Sequence, residues 1–276
     1  MDAVGCADHR RTLASPPNLR APRWLQSEPE VVQVEALMTR RKAQSLSVSD
    51  RAEIIRRCEF GLNIADDAVQ SLAAAAEVND YRRRRFIYRT GDPADALYAI
   101  ARGRVKLSLI EEGTGREAVI DIIGAGALFG ESALYTTGER EKCAVAYENV
   151  RLLRFPIDAF RQAMGASKEL YDYTFRLIGQ RLMQAERRMA DFALDAVQER
   201  LEKLLHELSK RYGRQAEEGI LIDITLPHRE LASIVGSTRE SVTVRLNAMR
   251  RAGIIDIVDR KIVLKQPLVN SSRLMS

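Results

Sequence analysis

The chain is 276 residues long, 46% hydrophobic and 29% charged, with a formal net charge of +5. That length suits two domains plus tails with real cores, while no apolar run approaches the roughly 20 residues a bilayer-spanning helix needs. There is no signal core for export, and three widely spaced cysteines (Cys6, Cys58, Cys143) make neither a disulfide framework nor a CxxC metal site, so a cytoplasmic protein without metal is expected.

Residues 1–45 carry little structure signal. Pro16, Pro17, Pro22 and Pro29 break helices, and a flexible tail is predicted, with Met38 as an alternative start. Residues 46–166 change in texture. Two short helices lead, Ser49–Cys58, capped by Ser47 or Ser49, and the alanine-rich Asp66–Glu77. Short β-like runs then alternate with glycine turns: Arg85–Tyr88, Ala96–Ala101, Val105–Glu111, Glu117–Ile123, Lys142–Ala146 and Val150–Phe155. Such spacing predicts a sandwich or jelly roll. The basic run Arg82–Arg85 reads as a solvated strand and loop face, with nucleic-acid contact the alternative. The glycines at 124–130 are similar to a dinucleotide fingerprint but lack its strand–glycine–helix context, so they read as a turn.

Pro156 ends the strands, and a helix is predicted over about Lys168–Asp195, within residues 167–195. Tyr171, Phe175, Ile178, Leu182, Ala185, Met189 and Phe192 follow one another in alternating steps of four and three. That is an a/d seam, which pairs with another helix, here a second copy. The opposite face is free to pack on the chain's own β-domain. Leu194–Asp195 reads as a hinge into a further helix, Val197–Arg211, whose leucines join the core of the last domain, residues 196–276.

That last domain holds the sharpest signal. A helix over about Pro227–Ile234 is followed by Gly236, suited to a left-handed turn, and by Ser237 or Thr238 as cap. A second helix, about Arg239–Arg251, buries Val242, Leu246 and Met249 and presents Arg239, Glu240, Thr243 and Arg250. Gly253 stops it, and Ile254–Ile257 with Ile262–Leu264 form a hairpin wing. The whole is a winged helix-turn-helix, whose second helix enters the DNA major groove. From Ser237 to Ser276 eight basic residues face three acidic ones, so this segment's excess equals that of the whole chain. Double-stranded DNA is therefore the expected partner. No nucleophile–base pair, metal cluster or P-loop points to an enzyme.

An α+β chain made of a β-roll, a long dimerisation helix and a C-terminal winged helix-turn-helix resembles the CRP/FNR family of bacterial transcription regulators, over about residues 60–265. The resemblance is carried by PheGlyGluSerAlaLeuTyr at 129–135, GlySerThrArgGluSerVal at 236–242, and the stretches at 90–100 and 103–107. It implies a homodimer on a palindromic promoter site, contact with RNA polymerase as an activator, and an effector held between β-roll and dimer helix. It places base reading on Arg239 and Glu240, with Thr243 on the same face and Arg245 beside them. Phosphate contact falls on Thr238 and near His228 or Arg229. Arginine pairs with guanine, and glutamate accepts from cytosine N4. Where the family commonly has a further arginine stands Val244.

The sensor side departs from the family. The effector cassette would comprise Gly130, Glu131, Ser132, Arg140, Glu141 and Lys142. The Arg-Ser pair that holds a cyclic phosphate falls on Glu141–Lys142, where a glutamate repels the ligand, and Arg140 is expected to face the other side of a strand. No Ser or Thr lies between Phe175 and His206 to meet a base. Regulation by cAMP is therefore not expected. Three cysteines are too few for the usual iron–sulfur cluster, and no histidine lies in the roll for haem, so no cofactor is expected. Two alternatives stay open. One is an abundance-controlled or architectural binder with a vestigial sensor. The other is a redox sensor through Cys143, whose thiol Arg140 and Lys142 would activate.

Overall fold

The computed structural model describes residues 46–136 and 138–265. The predicted tail, residues 1–45, and the chain beyond Lys265 lie outside the described residues. The first helix, α1 (Val48–Arg57), starts at Ser47, whose hydroxyl and the Asp50 carboxylate form a reciprocal capping box. With α2 (Asp66–Ala75) it buries Ile55, Val69 and Leu72 against the outside of the roll.

The roll consists of two antiparallel four-stranded sheets, ordered β1-β8-β3-β6 and β2-β7-β4-β5. Its strands are β1 (Glu77–Tyr81), β2 (Phe86–Tyr88), β3 (Ala96–Arg102), β4 (Val105–Ile110), β5 (Glu117–Ile123), β6 (Leu128–Phe129), β7 (Cys143–Ala146) and β8 (Val150–Pro156). The core between the sheets holds Tyr88, Tyr98, Ile100, Leu107, Phe129 and Leu152. The six predicted strands are present, and the glycine run at 124–130 is a turn plus β6. Strand β1 was not foreseen, because GluValAsnAspTyr has poor strand propensity. Cross-strand charge compensates: Asp80 pairs with Arg151 at 2.8 Å and Glu77 with Arg154 at 3.3 Å, both on β8.

Two further helices follow. The unforeseen α3 (Ile157–Ala166) starts at Pro156 and buries Phe160 and Ala163. The long α4 (Lys168–Leu194) begins where the Ser167 hydroxyl accepts from the Leu170 amide; its 27 residues span about 40 Å. Leu170, Thr174 and Leu177 turn towards the roll, while the a/d seam faces outwards. Phe175 is 70% exposed, Leu182 61% and Met189 71%.

After Asp195 and Ala196, α5 (Val197–Tyr212) opens the C-terminal unit, followed by the hairpin β9 (Gly213–Ala216) and β10 (Gly219–Ile222). Then come α6 (His228–Ile234), α7 (Arg239–Arg251) and the wing strands β11 (Ile255–Val258) and β12 (Lys261–Leu264). The β9–β10 hairpin extends the wing into one sheet, ordered β11-β12-β10-β9. The wing turns on Asp259 and Arg260, both with positive φ (50° and 64°), the conformation that two-residue hairpin loops favour.

The C-terminal unit does not stand free. Val119 and Ile122 of β5 share one core with Leu201, Leu205, Leu231 and Leu246. Polar contacts seal the seam. The Ser233 hydroxyl donates to the Glu117 carbonyl at 2.6 Å and accepts from the Val119 amide at 2.9 Å. Arg211 pairs with Asp121 at 2.6 Å, and the Tyr147 hydroxyl donates to the Thr225 carbonyl at 2.7 Å. Lys106 of β4 sits between Glu117, at 2.7 Å, and Glu230 of α6, at 3.3 Å.

Candidate nucleic-acid interface

Thr238 caps α7, accepting from the Ser241 amide at 3.1 Å, so the first turn starts at Arg239 with its amides and positive dipole end turned outwards. Arg239 and Glu240 are exposed side by side, while Val242, Leu246 and Met249 are buried against α6 and the wing. Val244 is 61% exposed and offers an apolar contact of the kind that meets a thymine methyl.

Thr243 has an internal task that the sequence did not reveal. Its hydroxyl donates to the Arg239 carbonyl at 2.8 Å and lies 2.8 Å from His228 Nδ1. A hydroxyl has a single proton, so His228 Nδ1 is the donor in that second bond. Thr243 and His228 thus tie α7 to the start of α6. Arg229 is exposed beside them. Arg245 is half-buried, its Nε enclosed without a partner among the described residues.

The turn between the two helices touches the end of α4. Gly236 has φ +60°, and a Cβ there would come within 2.6 Å of the Phe192 ring. That ring also carries the Arg200 guanidinium 5.1 Å from its centroid. Phe192, the last residue of the predicted seam, thus touches the helix-turn-helix while staying 49% exposed. Gly236→Ala is therefore expected to cost about 1–2 kcal/mol for the left-handed backbone alone, plus the displacement of Phe192. Thermal unfolding of Gly236→Ala in the Phe192 and Phe192→Ala backgrounds checks this, since the second background should recover only the steric part.

In the roll, Arg140 is 1% exposed. It donates to the carbonyls of Gly130, at 2.9 Å, and Ala96, at 2.6 Å, with its guanidinium over the Tyr88 ring at 4.4 Å. Burial pushes the Tyr88 hydroxyl well above its ordinary pKa. Glu131 is buried and pairs at 3.1 Å with Arg181, which reaches down from α4. Ser132 is half-buried, and its carbonyl accepts from the Thr136 hydroxyl. Glu141 is exposed and Lys142 half-buried. Cys143 is buried, its Sγ 3.5 Å from the Thr90 hydroxyl. Burial pushes the other described thiol, Cys58, up to about 12. Among the described residues no group of His, Cys, Asp and Glu is placed to hold a metal ion, and no helix is long and apolar enough to cross a membrane.

The family description of a cyclic nucleotide-binding domain matches residues 78–167, and that of a Crp-like helix-turn-helix domain matches residues 199–268. A global nitrogen regulator of Nostoc sp. is 32% identical over 196 residues, 70% of this chain and 87% of that protein. The chain belongs to the CRP/FNR family. It is a transcription regulator with a helix-turn-helix DNA-binding domain, and its relatives are regulators rather than enzymes. A CRP-like cAMP-activated global transcriptional regulator of Mycobacterium tuberculosis is 27% identical, covering 77% of this chain and 94% of that one. A solved CRP/FNR-family transcriptional regulator of Thermus thermophilus is 29% identical with a TM-score of 0.56, covering 68% of this chain and 93% of that one.

Two sensor expectations for this CRP/FNR protein need correction. Arg140 does not face the far side of a strand. It precedes β7, in a segment without strand alternation, and turns into the roll. Glu141 points outwards, so no carboxylate stands in the cation's place. Arg140 Nη1 and Nη2 donate to the Gly130 and Ala96 carbonyls rather than to Cys143, whose thiol is buried. Sequence reasoning also missed Arg181, Lys106 and Glu230. Lys106 and Glu230 are 124 residues apart, and no spacing rule joins them.

Proposed function

We propose that this CRP/FNR protein acts in the cytoplasm as a homodimer on a palindromic promoter site, activating transcription through RNA polymerase, and that its DNA binding needs no cyclic nucleotide. The observation that carries the DNA reading is the capped start of α7, which presents Arg239 and Glu240 to solvent together. The exposed seam of α4 supports the dimer, since so continuous an apolar stripe on one helix calls for a partner.

Independence of cAMP rests on the base end of the ligand. The buried Arg140 removes the objection at the phosphate end. Between Phe175 and His206, however, α4 and α5 offer no Ser or Thr hydroxyl, and the buried Thr174 hydroxyl is bonded to the Leu170 carbonyl at 2.8 Å. A purine that enters without meeting a hydroxyl loses hydration that these helices do not replace in that way. A sensor that has lost its ligand, leaving regulation by abundance, is the second reading. It is favoured by the way Glu131 is already paired with Arg181 within the protein. The buried Cys143 offers the thiol-sensor alternative little support.

Arg239→Ala is expected to lose about 1–3 kcal/mol on the cognate site and to relax preference at one base pair of each half-site. Selection from random-sequence DNA followed by anisotropy titration measures this. Full discrimination by the variant would falsify the assignment of α7 as the reading helix. The same titration with and without cAMP tests the effector statement, and a gain in DNA affinity at micromolar cAMP counts against it.

A further inference from the structure

The outward face of α7 changes character after its first turn. Arg239 and Glu240 are the exposed polar pair at its start. One helical turn beyond Glu240, on the same stripe, stands Val244, which is 61% exposed. A further turn on stands Ala248, also exposed. Most polar side chains around this stripe are engaged within the protein. The Thr243 hydroxyl donates to the Arg239 carbonyl at 2.8 Å and accepts from His228. Arg250 pairs with Asp256 at 3.1 Å. Arg245 is half-buried and points about 100° round the helix from Val244. The next exposed polar side chain, Asn247, stands almost a turn beyond. The second turn of the reading helix therefore offers an apolar surface where the first offers donors and acceptors.

Nothing within the fold accounts for a valine at this point. Val244 belongs to none of the three hydrophobic cores. In an exposed helical position valine is a weaker helix former than alanine or arginine, because branching at Cβ restricts χ1 against the preceding turn. The same restriction fixes where its two methyl groups project, since one χ1 rotamer dominates on a helix. A side chain held in this way loses little rotamer freedom when a partner covers it. Base edges in the major groove carry donors, acceptors and a single kind of apolar group, the C5-methyl of thymine.

We propose that Val244 packs on the C5-methyl group of a thymine, so that it determines specificity at one base pair of the DNA site beside those read by Arg239 and Glu240. The inference rests on the DNA-binding reading above and adds to it the identity of one base. Val244 lies about 5.4 Å along α7 from Glu240, and successive base pairs are about 3.4 Å apart. The thymine therefore falls within about two base pairs of the pair that Glu240 reads. Cytosine at that place has no methyl and turns its N4 amino group towards a side chain that cannot accept from it. A purine likewise leaves polar atoms against the valine without a partner.

The test uses the full chain and the DNA that it selects from random sequence. Selection repeated with Glu240→Ala marks the base pair at which preference relaxes. Thymines within reach of that pair are then replaced one at a time by deoxyuridine, which keeps every hydrogen-bonding group of thymine and lacks the methyl. At one position of each half-site the replacement is expected to weaken binding about three- to fivefold, the effect of one buried methyl group. Val244→Ala, at an exposed position where alanine favours the helix, should bind thymine and deoxyuridine alike there and keep its preference at the pair read by Arg239. Equal wild-type affinity for thymine and deoxyuridine throughout the half-site overturns the contact. So does a loss that Val244→Ala leaves unchanged, or a selected half-site with no thymine within reach. In each of these cases relaxed discrimination by Arg239→Ala still upholds α7 as the reading helix. A wild-type chain that selects no sequence overturns both.

Discussion

Ile178→Glu combined with Leu182→Glu is expected to turn the protein into a monomer that no longer holds a palindromic site. Both residues lie on the outward stripe of α4, between Phe175 and Met189, and Leu182 is 61% exposed in one copy of the chain. A pairing of two such helices brings each position close to its own symmetry mate, so each substitution places two carboxylates together in an apolar seam. The roll-facing stripe of Leu170, Thr174 and Leu177 is untouched, and the fold of each copy should survive. Loss of the second half-site removes the avidity of two linked recognition helices, about 10²–10⁴-fold in affinity. Sedimentation velocity and titration of full and half sites measure the two effects separately. A variant that still sediments as a dimer would show that the interface lies elsewhere.

Lys106→Met is expected to undock the DNA-binding unit from the roll. The lysine ammonium is the sole cation between Glu117 and Glu230 among the described residues, and the three side chains are 11%, 19% and 7% exposed. Removing the cation leaves two carboxylates facing each other across the contact between β5 and α6. Breaking a buried pair in this way costs about 3–5 kcal/mol, because Glu117 is left without a partner and Glu230 with only the long 3.8 Å contact to the exposed Arg229. That cost falls on the docked arrangement rather than on either unit alone. Amide exchange in β5 and α6 should accelerate while the sheets of the roll keep their protection, and thermal unfolding should broaden or split. Converting Glu117 and Glu230 to glutamine in the same chain should restore much of the loss, since the uncompensated charge is then gone. Wild-type exchange at Val119 and Leu231 in the single variant would contradict the role of this cluster.

Elements whose signals are local are legible in the amino-acid order. The a/d steps of α4, the Ser47 and Thr238 caps and the Gly236 turn each depend on residues within one or two helical turns, where periodicity and capping chemistry act. The apolar triad Val242, Leu246 and Met249 is legible for the same reason. So is the face of α7 that presents Arg239 and Glu240, because burial of one stripe fixes what the other exposes. Other features exist only once distant segments meet. Strand β1 forms because β8 supplies arginines opposite its acids, a match no window on GluValAsnAspTyr contains. Arg140 turns inwards because the carbonyls of Gly130 and Ala96 meet it there, whereas strand alternation alone points it outwards. Phe192 meets Gly236 because the helix-turn-helix folds back onto the end of α4. The Lys106 cluster arises where separate units dock. The contacts that hold the reading head against the sensor join charges far apart along the chain, and only the packing of the two units brings them within reach of one another.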